Sequence, residues 1–128
     1  MREILFRGKC KDNGKWYYGG YVAYNCVSTI DGEVIVYSKT VGQYTGFNDK
    51  NGKKIFEGDI VKIDDKYIRY IEYSGECAAF VKFRYINRLT SEFSGYLGKG
   101  YDNYKQTVEV VGNIHDNPKL LKSEDQTQ

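Results

Sequence analysis

Residues 40–63 read TVGQYTGFNDKNGKKIFEGDIVKI, and this stretch limits the fold more than any other part of the chain. Asn51-Gly52 marks a tight turn between Phe47 and the apolar pair Ile55-Phe56, because Asn and Gly accept positive φ at little steric cost. Glu57-Gly58-Asp59 then turns the chain again, directly into Ile60-Val61-Lys62-Ile63. Two turns this close leave no room for a helix of ordinary length, so the region must be built of short strands. Alternation of apolar and polar groups over 60–63 predicts a strand with one buried face.

The same grammar recurs along the chain. Thirteen Tyr and 14 Gly stand against one Pro and one Met, a balance that suits pleated strands joined by glycine turns better than helices. Ile4-Leu5-Phe6 predicts a short strand, Asp12-Asn13-Gly14-Lys15 a turn, and residues 16–24 an aromatic strand. Within that strand Gly19-Gly20 signals a bulge or a close backbone approach. Residues 27–30 and 34–37 flank Asp31-Gly32 as a hairpin, and 67–73, 78–85 and 107–114 predict further strands. Between 84 and 100 the pattern is mixed, with Ile86, Leu89 and Leu97 compatible with a helical turn or an irregular loop. Asn117-Pro118 ends the last strand, since proline cannot donate to a ladder. The fold expected is mainly β, a set of short antiparallel strands. Its 128 residues suffice for one domain, 1–121, with sub-lobes 1–39 and 55–121 and a polar, frayed tail at 122–128.

Charge is evenly spread. Residues 1–39 carry six basic and four acidic groups, 40–63 four and three, 64–107 seven and six, and 108–128 two and four. No segment concentrates one sign in the way a nucleic-acid footprint usually does. Cys10, Cys26 and Cys77 are widely spaced, the opening MREILFRG is unlike a secretory leader, and no apolar run approaches membrane-spanning length. A cytoplasmic, non-membrane setting with reduced thiols is expected.

Candidate catalytic groups are sparse. Glu57 and Asp59 would share a strand face as an acid and base pair, but Asp59 beside Gly58 also suits a turn-supporting side chain. His115, the single histidine, stands next to Asp116 and could join Cys77 only in a triad without the usual spacing signatures; a turn-capping role explains it more simply. The three cysteines and one histidine lack zinc-type pairing, so no metal or other cofactor is expected, and the chain reads as non-enzymatic.

The aromatic strand offers the strongest functional lead. Trp16, Tyr17, Tyr18, Tyr21 and Tyr24 crowd it, and Lys9, Lys11 and Lys15 lie close by in sequence. Alternation would turn some of these rings outward, where they could anchor a protein interface or stack on bases. The plain structural reading is that they are two-faced strand residues covering a small core.

MREILFRGK with Trp16-Tyr17-Tyr18-Gly19, the central TVGQYTGFNDKNGKKIFEGDIVK and the terminal VEVVGNIHDNPKLL resemble the YopX protein family, found mainly in bacteriophages and prophages. Residues 64–106 carry no clear match to the family pattern. The resemblance implies a β-rich protein with an SH3-like barrel in the carboxy-terminal part, and it transfers no catalytic residue. The expected function is therefore that of a phage- or prophage-encoded accessory protein in the host cytoplasm. It would act as a protein-interaction or self-associating module, with a phage or host protein, or a second copy, as partner. The alternative is a nucleic-acid-binding protein that uses the aromatic and basic strand face.

Overall fold

The computed structural model describes residues 4–29, 32–75, 79–87, 90–97 and 107–121. Strands dominate, as the turn grammar requires, in two compact units, Met1–Gly46 and Phe47–Gln128.

The first unit contains β1 (Phe6–Lys9), β2 (Trp16–Ala23), β3 (Cys26–Thr29), β4 (Gly32–Ile35), a single 3₁₀ turn at Ser38–Thr40, and the start of β5 (Gly42–Asn48). All pairings are antiparallel, and the strands lie in the order β4-β3-β2-β1-β5. The first strand begins two residues later than Ile4, which is exposed, so Arg7 and Gly8 enter the ladder instead. Past the ends of β1 and β4 an isolated bridge joins Cys10 to Val36. That bridge brings the fully buried Val36 against Gly8, where a Cβ would lie only 2.7 Å from a Val36 methyl. Val27, Val36, Cys10 and Cys26 are buried in this unit.

Gly19 explains the glycine pair in β2. A Cβ there would lie 1.9 Å from the Ser28 carbonyl oxygen, so only glycine allows β2 and β3 to approach this closely. The register between them shifts between Tyr21 and Ala23, which leaves Val22 at a bulge.

The second unit is built on β6 (Lys54–Phe56), β7 (Asp59–Ile63), β8 (Tyr67–Ser74), β9 (Ala79–Asn87), β10 (Thr90–Tyr96) and β11 (Val108–Asn113). Five of these form an antiparallel sheet in the order β10-β9-β8-β7-β11. Ile55, Val61, Ile63, Ile71, Phe80 and Leu97 make one continuous apolar core, with Val108 and Val110 packed against it. The Glu57-Gly58 turn is local chemistry. Gly58 sits at φ +92°, and Asp59 Oδ2 accepts the Phe56 N–H at 2.7 Å, so the buried carboxylate closes the hairpin.

The structure corrects three expectations from the sequence. Both Ile60 and Val61 are fully buried, so β7 is covered on both faces rather than one. The strand lies between β8 and β11, and the turn after β11 folds back over the face opposite the core. There Asn117 occupies the space beside Gly112, which pairs with Ile60. In the mixed segment 84–100, described residues 84–87 and 90–96 are strand rather than helix or loop. The chain continues β9 to Asn87 and returns as β10, with the broken alternation absorbed by register shifts between Thr90 and Ser91 and between Phe93 and Tyr96. The five-stranded sheet is not closed into a barrel among the described residues, because β11 pairs with β7 and β10 with β9. Residues 122–128 lie outside the described residues.

Two details fix the β11 side of this sheet. Asp49 Oδ1 accepts the N–H groups of Asn51 and Lys53, each at 2.9 Å, while its Oδ2 accepts the Val110 N–H at 3.0 Å. The Lys50 N–H adds a bond to the Val108 carbonyl, so the Asn51-Gly52 turn is stitched along β11 and shields that edge. Burial alone would raise the Asp49 pKa, but these bonds and then the Lys53 charge outweigh it and hold the carboxyl below its ordinary value. Asp64 and Asp65 take positive φ between β7 and β8, where short polar side chains are tolerated.

Candidate interaction surface

Directly paired residues share a sheet face, so the β1–β2 register sorts the aromatic strand into two sides. Lys9 opposes Trp16 and Arg7 opposes Tyr18 on one side; Phe6 and Gly8 oppose Gly19 and Tyr17 on the other. Ring contacts agree with this sorting. The Arg7 guanidinium lies 4.7 Å from the Trp16 ring centroid, and the Phe6 and Tyr21 rings are 5.3 Å apart. Trp16 and Tyr18 therefore belong to one face, and Tyr17 and Tyr21 to the other. Tyr24 stands in the turn after β2 and is 68% exposed.

Much of the Trp16 end of β2 is committed to structure. Arg7 is buried and covers the indole, an arrangement worth more when water is excluded. The Tyr17 hydroxyl accepts a bond from Asn13 Nδ2 at 3.0 Å, while Asn13 Oδ1 accepts the Lys15 N–H at 2.8 Å. These bonds hold the turn that carries Lys11 and Lys15.

At the other end of β2 the apolar groups face water. Tyr21, Val22 and Tyr24 are exposed, and β4 contributes exposed Ile35. The Val36 N–H donates to the Asn25 carbonyl at 2.9 Å, which sets the Tyr24-Asn25 turn beside the end of β4. The Lys11 N–H donates to the Ile35 carbonyl at 3.2 Å, and the Tyr37 N–H to the Lys9 carbonyl at 2.9 Å. Thr40 pins the following 3₁₀ turn to the same place, its Oγ1 accepting the Lys9 N–H at 2.9 Å. Sequence spacing did not reveal that Tyr37 and Lys39 stand with Lys9 and Lys11. The Lys11 ammonium lies 5.9 Å from the Tyr37 ring centroid.

The other sequence candidates fall apart spatially or into turn roles. Asp59 is taken up by the hairpin, and the Glu57 carboxylate acts instead on Glu72, whose pKa is raised by desolvation and then by that like charge. The His115 and Asp116 N–H groups both donate to Asn113 Oδ1, at 3.0 and 2.8 Å, and the Asp116 carboxylate accepts from Asn113 Nδ2. Cys77 lies outside the described residues. Cys26 is buried, and desolvation followed by the neighbouring Glu33 carboxylate pushes its thiol pKa up, away from nucleophilic character. Among the described residues no group of three or more His, Cys, Asp and Glu is placed to hold a metal ion, and no helix is long and apolar enough to cross a membrane.

The model of the YopX protein family matches residues 5–122. The chain belongs to the YopX family. The match includes residues 64–106, where the short motifs gave no likeness. One solved structure with a similar course is protein EF1440 from Enterococcus faecalis, 19% identical, with a TM-score of 0.46, covering 94% of this YopX-family chain and 99% of that one. No curated protein matches.

Proposed function

We propose that this YopX-family protein is a non-enzymatic protein-interaction module, phage- or prophage-encoded and acting in the bacterial cytoplasm, and that its first unit carries the binding surface. The observation that supports this reading is the convergence of exposed Tyr24, Ile35 and Tyr37 around the end of β4. Tyrosines and aliphatics gathered in one place, with a charged border, have the composition of an interface core and rim. Catalysis has no comparable support, because the Asp59 and Asp116 carboxylates are engaged in turns and Glu57 is not paired with Asp59 as an acid and base.

The test is affinity capture with the intact protein and with a Tyr24→Ser/Ile35→Ser variant, each with and without nuclease. Nuclease-resistant partners retained by the first and lost by the second are expected. Identical partners on both proteins would remove the surface from the reading, and loss of every partner after nuclease would replace it with nucleic-acid binding. Concentration-dependent mass that the double variant abolishes would identify the partner as a second copy.

Nucleic-acid binding is the second reading, and the lysines around Tyr37 are its support. Base stacking needs open ring faces along a cationic track. Here Arg7 covers Trp16, Lys11 stands over Tyr37, and Asp12 interrupts the lysine turn. Salt-dependent retention on purified DNA or RNA would favour this reading over the first.

A further inference from the structure

The two units differ in charge as well as in exposure. Over the full sequence, residues 1–46 carry six cationic side chains and four carboxylates, and residues 47–128 thirteen of each. Four of the six cations are Lys9, Lys11, Lys15 and Lys39, and backbone bonds gather all four segments. The Cys10 N–H donates to the Lys15 carbonyl at 2.8 Å, Tyr37 bonds Lys9, and Thr40 bonds both Lys9 and Tyr37. Of its carboxylates, Glu33 already receives the Cys26 thiol at 3.8 Å. The exposed apolar groups Tyr24, Ile35 and Tyr37 thus border the place where the segments of these four lysines meet.

Resting on the protein-interaction reading, we propose that the segment docking here is acidic and apolar: a stretch of a partner protein whose carboxylates meet Lys11, Lys15 and Lys39 while aliphatic or aromatic groups cover Tyr24, Ile35 and Tyr37. Charge complementarity of this kind raises encounter rates and rejects basic partners, while the apolar contacts hold the complex. Phosphate chains match the cations but leave Ile35 and Tyr24 without a complement. A neutral hydrophobic segment matches the apolar groups but leaves the lysines unused. Only the combination uses both halves of the surface.

The probe is a fluorescent synthetic peptide of Asp, Glu, Leu and Phe, compared with its Asn and Gln analogue and with a single-stranded oligonucleotide of equal charge, each titrated against the full chain. The acidic peptide is expected to bind tightest, with roughly tenfold weaker binding for the neutral analogue and for the Lys11→Glu/Lys39→Glu protein. Backbone resonances of Lys11, Tyr37 and Lys39 should move on titration. Lys11→Gln/Lys39→Gln provides a milder variant whose thermal midpoint confirms folding. Equal binding of the acidic peptide and its neutral analogue would overturn the charge assignment while leaving the interaction reading intact. Absence of peptide binding would overturn the docking proposal, with the capture experiment still deciding the broader one. Tightest binding of the oligonucleotide would overturn both.

Discussion

The second unit buries a contiguous set of apolar side chains drawn from several strands, whereas the buried apolar groups of the first are Val27, Val36, Tyr44 and two cysteines, and Tyr18, Tyr21, Tyr24 and Tyr37 stand exposed. Apolar area removed from water is the main source of folding free energy, so an unequal division of it is also a division of labour. In the second unit, substitutions should register as lost stability. In the first, a largely exposed ring such as Tyr24 contributes little to holding the fold, and the proposed role for it is binding. The contrast accounts for an aromatic-rich strand that is not a core strand.

The largest effect expected on this contrast is from Ile71→Ala. Ile71 is fully buried at the centre of the second core, and truncation there should cost about 2–5 kcal/mol in denaturant unfolding. A cost of a few tenths would mean that this cluster is not the main stabilising element. The capture and peptide behaviour of any folded fraction should be unchanged.

Asp49→Ala should come next, at about 1.5–3 kcal/mol, because charge-assisted bonds to three backbone N–H groups are lost together. The pH dependence has a definite sign. A carboxyl whose pKa is lowered by folding contributes stability that is present above the unfolded value, near ~3.9, and is lost as pH falls through the folded value. The stability gap between the parent and Asp49→Asn should therefore be wide at neutral pH and shrink on acidification below the ordinary aspartate range. A gap that widened with acid would refute the clamp.

Gly19→Ala tests the first unit with an overpacking change, since its Cβ meets the Ser28 carbonyl rather than a yielding side chain. About 1–3 kcal/mol is expected. If the units are as distinct as their cores suggest, amide exchange should accelerate in β2 and β3 while β7 keeps its protection.

These expectations bear on what the residues could reveal before any coordinates. Asn51-Gly52, Glu57-Gly58 and Asp12-Asn13-Gly14 were legible because a turn is decided by the backbone preferences of the residues that form it. The role of Asp49 was not, since one of its three donors, Val110, lies 61 positions away. Its signal was an aspartate two residues before Asn-Gly, which binds a turn through its own carboxylate. β10 escaped for a different reason: two register shifts destroy the alternation by which strands are read. The candidate surface was half legible. Spacing drew attention to the aromatics of β2 but set Trp16 and Tyr24 on equal terms. Arg7 on the indole and the return of β4 to Lys11 separate them, and both are consequences of pairing.

Tyr24→Ser should have the smallest effect on stability and makes the sharpest use of the comparison. The side chain is largely in water, so its removal should change the unfolding free energy by no more than about 0.5 kcal/mol. In the first unit, however, exposure is proposed to serve binding, and the same substitution should weaken partner capture even though the thermal midpoint barely moves. Tyr73→Ser supplies the control from the second unit. Its ring packs edge-to-face on the core residue Phe80, with centroids 5.3 Å apart, despite being half exposed. It should therefore cost stability and leave capture alone. If Tyr24 and Tyr73 behaved alike, exposed aromatics would carry no functional information in this fold. If they separate as described, ring environment rather than exposure distinguishes a tyrosine that stabilises the chain from one that is presented to a partner.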